Sequence, residues 1–175
     1  DVLTIGAAVS LSDAYRAFAR YWPEMNELWE RFASLPIRNA GTLGGNIANG
    51  SPIGDSMPAL MALGATLMLA SPSGSRRVGL EVFYRGYRLT ALEPDEVIVS
   101  VSVMKPVANS IFRTYKVSKR FDSDISAVCA AFFVQFDGAK IASCRLAFGG
   151  MAAVPMRAGS TEALLAGRTW DESVV

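Results

Sequence analysis

Between Ser34 and Asp55 the hydrophobic periodicity that organises the rest of the chain stops, and glycine, asparagine and proline take over. The run is about twenty residues long and shows no obvious element of its own; irregular segments of that length inside a compact domain are usually functional. Everything else in the chain has to be arranged around it.

The stretch from Leu35 to Asp55 concentrates residues able to take positive φ, exposed backbone donors and short polar side chains. Gly44 and Gly45 lack Cβ atoms, so the backbone can approach a ligand closely and turn its N–H groups inward as a nest for an anion such as a pyrophosphate. Thr42 and Asn46 bracket the pair and offer a hydroxyl and an amide to the same oxygens, and Asp55 can accept from ribose hydroxyls. The plainer alternative is that the glycines only permit tight turns and Asp55 only caps the next helix.

Other features exclude competing chemistry. The chain contains no histidine, which removes the usual neutral-pH base and the commonest metal ligand, so chemistry done here is expected to come from a bound cofactor. Seventeen basic against sixteen acidic residues leave a net charge of +1, without the basic field that attracts nucleic acid or an anionic membrane. Cys129 and Cys144 fit neither a metal motif nor a disulfide framework and read as core residues in a reducing cytoplasm. No apolar run is long enough to span a bilayer. The chain opens directly on a strand, Asp1 to Gly6, and upstream residues are expected to be missing.

Ser10 or Ser12 is expected to cap a helix over about residues 12 to 21, with a second helix carrying Met25, Leu28, Trp29 and Phe32 after Pro23. A short helix capped by Asp55 or Ser56 should end at Gly64. Thr66 to Ala70 and Arg77 to Leu80 read as a hairpin, and Val97 to Val103 as a strand. Pro106 to Ser110 reads as a linker. Beyond it, Ile111 to Val117, Ala127 to Phe136 and Ile141 to Phe148 read as strands, with an Asp137-Gly138 turn. Ser160 or Thr161 should cap a helix through Leu165, and another should start at Trp170.

Ile37-Arg38-Asn39, Gly41-Thr42-Leu43-Gly44-Gly45-Asn46-Ile47 and Ser51-Pro52-Ile53-Gly54-Asp55-Ser56-Met57-Pro58 closely resemble the FAD-binding signature of the molybdopterin dehydrogenases. The resemblance implies contact with FAD for Thr42, Leu43, Gly44, Gly45, Asn46 and Asp55. It extends to Asp95-Glu96-Val97-Ile98-Val99-Ser100, where Ile98 matches an aliphatic residue lying against the flavin. In Phe112-Arg113-Thr114-Tyr115-Lys116-Val117-Ser118-Lys119-Arg120, Lys116 matches a flavin-contacting lysine. Phe32 stands where the family places an aromatic near the cofactor, although it reads equally well as helix core. Leu146 to Ala158 is similar to the small carboxy-terminal domain that follows, and there Gly149 and Gly150 read as structural.

The fold implied is α+β: the second lobe of a PCMH-type FAD-binding domain over residues 1–106, then over 111–175 a small α+β domain with a three-stranded antiparallel sheet and helices. The family's first lobe would be absent on the N-terminal side. The function implied is that of an electron relay in a molybdenum hydroxylase, most similar to the xanthine dehydrogenase small subunit. FAD would take electrons from two-iron two-sulfur clusters and pass a hydride to NAD+, with purine hydroxylation on a separate molybdopterin subunit. The alternatives are a flavoprotein of an aldehyde or carbon monoxide dehydrogenase with another acceptor, or a flavin-free assembly module.

Overall fold

A computed structural model describes residues 1–172 and 174. Two antiparallel four-stranded sheets carry the architecture. The first has the order β1 (Val2–Gly6), β6 (Val97–Met104), β2 (Thr66–Ser71), β3 (Gly74–Gly79); the second has the order β10 (Met156–Arg157), β9 (Lys140–Gly149), β8 (Val128–Asp137), β7 (Ser110–Val117). The small ribbon β4 (Tyr84–Gly86) and β5 (Leu89–Thr90), which has no alternating sequence signal, completes the strands. The three long strands expected in the second half are thus joined by one two-residue strand. Gly138, at a φ of +59°, makes the turn between β8 and β9.

Helix α1 (Leu11–Ala19) is capped by Ser10, whose hydroxyl accepts from the Asp13 amide at 3.1 Å. It buries Leu11, Ala14, Tyr15 and Phe18. Tyr21 lies beyond its end, because the chain leaves the helix ahead of Pro23, which opens a 3₁₀ turn leading into α2 (Asn26–Arg31). α5 (Ser56–Ala62) is buried at every residue. It belongs to one hydrophobic cluster that includes Leu67 and Leu69 of β2, Val101 and Val103 of β6, and Phe112, Cys129, Phe133 and Ala147 of the second sheet. Burying each large side chain in that cluster contributes about 1.5–3 kcal/mol, so the two sheets are tied by the same apolar contacts.

The irregular segment is not free of structure: it contains two six-residue helices, α3 (Leu35–Ala40) and α4 (Leu43–Ala48). Local propensity does not favour them, since glycine costs about 1 kcal/mol inside a helix. Long-range bonds hold them instead. The amide of Leu43 donates to Val9 O at 2.9 Å, that of Gly44 to Ala7 O at 2.8 Å, and that of Leu11 to Gly41 O at 2.8 Å. Arg38 Nη1 donates to the carbonyls of Phe32 at 2.6 Å and Ala33 at 2.7 Å, binding α3 to the end of α2.

Two capping expectations are corrected. Asp55 stands at the N-cap position of α5 but makes no capping bond, because its carboxylate is engaged elsewhere. α6 (Gly159–Leu165) is preceded by Ala158, not by Ser160 or Thr161; its first-turn Glu162 instead accepts from Arg157 Nε at 3.0 Å and from the Leu146 amide at 2.7 Å. The helix expected from Trp170 includes Ser173 and Val175, which lie outside the described residues. Gly150 has a φ of +86°, and a Cβ there would stand 2.4 Å from Ala127 O; its amide donates to Pro52 O. This close approach brings the end of β9 against the glycine segment.

Candidate functional site

Helix α4 separates two grooves. The first, of about 390 Å³, is lined by Thr42, Gly44, Gly45, Glu96, Val97 and Ile98 among others. The second, of about 410 Å³, is lined by Phe32, Asn46, Asp55, Lys116, Ile125 and Ser126 among others. The candidate residues therefore fall into two sets on opposite sides of one short helix. Leu43 faces neither: its side chain is fully buried in the core, where it anchors α4.

The glycine pair works differently from a nest. The Gly44 amide is spent on Ala7 O and the Gly45 amide on Thr42 Oγ1 at 3.1 Å, the side-chain cap of α4. A Cβ on Gly44 would meet Ala7 Cβ at 2.5 Å, so Gly44 serves close packing of α4 on residues 7–9. Gly45 is exposed in the first groove. Its missing side chain leaves the cradle open. Nearby, the Asn46 amide oxygen is buried without a hydrogen-bond partner. Native structures leave few such atoms, and a hydroxyl- or amide-bearing ligand in the second groove would satisfy it.

The strongest electrostatic feature is a closed ring of three side chains. Lys116 Nζ donates to Asp55 Oδ2 at 2.5 Å and to Ser126 Oγ at 2.8 Å, and Ser126 Oγ donates to Asp55 Oδ1. The Lys116 and Asp55 side chains are each 2% exposed. Each Asp55 oxygen accepts one of these bonds, so the carboxylate serves the lysine within the ring. Asp55 and Lys116 are 61 residues apart in sequence; Ser126 lies in a segment with no periodic signal, and sequence reasoning passed over it.

The wall beside Phe32 is an aromatic cluster. Tyr15 stacks on Trp29 with centroids 4.0 Å apart, meets Phe32 edge-on at 5.9 Å and shares a hydrogen bond with Ser56 Oγ at 2.7 Å. Burial pushes the Tyr15 hydroxyl well above its usual range, and burial does the same to the Cys129 thiol, which fits a core role. Arg31, also not singled out from sequence, donates to Phe121 O at 2.9 Å and lies 4.5 Å from the Phe121 ring centroid. It thereby ties α2 to the 118–126 segment, whose residues 123–126 line the second groove.

The first groove holds one carboxylate, Glu96. Arg76 grips it through two bonds of 2.6 and 2.7 Å, and the Glu93 amide adds a third at 2.9 Å. The Arg76 contact, reinforced by that amide, lowers the Glu96 carboxyl to about 2, against 4.5 for a free glutamate. A carboxylate depressed on folding stabilises the fold fully above its unfolded pKa and loses that contribution as pH falls through the folded one. The urea midpoint of the wild type is therefore expected to exceed that of Glu96→Gln at pH 7, with the gap closing between pH 4.5 and about 2. A gap that did not change with pH would contradict the assignment.

Among the described residues no cluster of histidine, cysteine, aspartate and glutamate could hold a metal ion, and no helix is long and apolar enough to cross a membrane. Residues 1–106 match the family model described as the FAD binding domain in molybdopterin dehydrogenase, and residues 113–175 match that of the CO dehydrogenase flavoprotein C-terminal domain. The chain is 35% identical over 187 residues to the xanthine dehydrogenase/oxidase of Gallus gallus, covering 99% of this chain and 14% of that protein. It is 38% identical over 149 residues to nicotinate hydroxylase of Emericella nidulans, covering 82% of this chain and 11% of that protein. The chain thus spans about a seventh or less of these relatives. In structure it is similar to a carbon monoxide dehydrogenase from Hydrogenophaga pseudoflava, with a TM-score of 0.92 and 28% identity over 99% of this chain and 61% of the other. It also resembles quinoline 2-oxidoreductase from Pseudomonas putida 86, with a TM-score of 0.81 and 32% identity over 99% of this chain and 60% of the other. By these matches and the glycine-loop signature, the chain belongs to the family of FAD-binding domains of the molybdopterin dehydrogenases.

Proposed function

We propose that this chain holds FAD across α4 and serves as the electron-relaying flavoprotein part of a molybdenum hydroxylase of the xanthine dehydrogenase kind. The observation that carries this reading is the pairing of Gly45, exposed in the first groove, with the orphaned Asn46 oxygen on the helix that bears the family signature. Thr42, Gly44, Gly45 and Ile98 would line one side of the cofactor, and Phe32, Asn46, Asp55 and Lys116 the other, with Leu43 anchoring the helix between them. The residues fit such a group: an exposed glycine in the groove wall, flat apolar surfaces and one buried cation. FAD, when bound, supplies the redox chemistry, and this chain supplies position, electrostatics and exclusion of water.

In this reading residues 1–106 form part of the FAD-binding domain and residues 111–175 the carboxy-terminal domain. Two-iron two-sulfur clusters and the molybdopterin subunit would lie elsewhere in a cytoplasmic complex, with NAD+ as the acceptor in purine catabolism. The carbon monoxide dehydrogenase likeness favours a second reading with another acceptor. Reduction of the bound flavin by NADH separates the two, since an NAD-linked protein shows it. A flavin-free assembly module has no need of the open Gly45 position.

The test is the visible absorption spectrum after FAD is added and the excess removed. Wild type is expected to retain flavin bands, and Gly45→Asp, which fills the cradle with a charged side chain, to lose them while remaining folded. Colourless wild type would overturn the reading, and a fully yellow variant would remove Gly45 from the site.

A further inference from the structure

Resting on that FAD-binding reading, we propose that Ser126 is a positioning residue for the cofactor: it fixes the direction in which Lys116 offers its remaining N–H to the groove shared by Phe32 and Asn46.

An ammonium has three donors on one rotatable carbon–nitrogen bond. Rotation about that bond moves all three donors together, so with Asp55 as sole partner the freedom left to Lys116 would be rotation of its head about the single N–H···O axis, which would carry the other two donors with it. The second bond, to Ser126 Oγ, ends that rotation, and because Ser126 donates in turn to Asp55, all three side chains are locked in one ring. Tetrahedral geometry then sets the direction of the third N–H, which has no partner among the described residues. Lys116, Asp55 and Ser126 all line the second groove and all are buried, Ser126 at 2% exposure. The pairing with Asp55 also cancels the charge of Lys116, so the groove receives a directed donor and little net field. Direction is what Ser126 contributes. Its role differs from that of Asp55, which neutralises the buried ammonium.

A hydrogen bond involving a charged group is worth enough to shift binding by about tenfold or more. The intact protein, stripped of flavin and titrated with FAD while flavin fluorescence is followed, is expected to bind about tenfold more weakly in Ser126→Ala. The visible bands of the flavin that still binds should also shift. Ser126→Thr, which keeps the hydroxyl, should restore both. Equal affinity and unchanged bands in Ser126→Ala would overturn the proposal, as would a loss of melting temperature with no change in either. Should Ser126→Ala not fold, the near-isosteric Ser126→Cys decides by the same two readouts, and failure of both variants to fold would make Ser126 structural and refute the proposal. Failure of the underlying FAD reading is distinguishable, because wild type would then not bind FAD at all.

Discussion

Replacing Lys116 by methionine is expected to lower stability by about 3–5 kcal/mol, because it strands the Asp55 carboxylate in the core with only Ser126 for a partner. Methionine matches the lysine stem in bulk, so lost packing contributes little and the cost is electrostatic. For a chain of this size each kcal/mol moves the midpoint of thermal unfolding by about 2–4 °C, so a fall of roughly 10 °C is expected in a melting experiment. The double variant Asp55→Leu/Lys116→Met should recover much of that loss, since apolar residues replace a buried pair at little net cost. A single variant within 1 kcal/mol of wild type would show that the pair is not buried as described.

The second large effect is expected at Gly44. Alanine there gains about 1 kcal/mol of helix propensity, but its Cβ would stand 2.5 Å from Ala7 Cβ and 3.1 Å from Ala7 O. Overpacking of this kind costs about 1–3 kcal/mol, and moving α4 away also strains the bonds from Leu43 to Val9 and from Gly44 to Ala7, each worth about 1 kcal/mol. The balance is a net loss of about 1–4 kcal/mol, with weaker FAD retention because Thr42 and Gly45 move with the helix. Gly45→Ala is the control: its Cβ meets only the Thr42 hydroxyl, at 2.8 Å, on an exposed site, so displacing that cap, at a cost of about 0.5–2 kcal/mol, offsets the propensity gain of about 1 kcal/mol and stability should stay within about 1 kcal/mol of wild type. Urea denaturation of both variants checks the contrast. A destabilised Gly45→Ala beside an unaffected Gly44→Ala would reverse the assignment of the two glycines.

These two positions show how legibility divides between sequence and structure. The strands from Thr66, Val97, Ser110, Val128 and Lys140 follow alternation, β-rich runs and turn residues, and α1 follows Ser10 and its apolar spacing, because in each case the signal is local. The family signature from Ile37 to Pro58 was likewise readable, since it rests on residue types at set spacing. What only the tertiary structure decided was how that signature works. α3 and α4 exist because Ala7, Val9 and Arg38 reach across to them, a contribution absent from the helix propensity of Leu43-Gly44-Gly45-Asn46. Gly44 packs while Gly45 faces the groove, although the two are neighbours of one type. Asp55 turns from cap to counter-ion because Lys116, 61 residues away, arrives unpaired in the same dry space, and burying an unpaired charge costs several kcal/mol. Ser126 carried no pattern of its own; it joins the ring only because the sheet and the 118–126 segment bring its hydroxyl there. Residue types and spacing determined which chemistry this chain can hold, and long-range packing decided which atoms face it, because burial and pairing depend on neighbours the sequence does not place side by side.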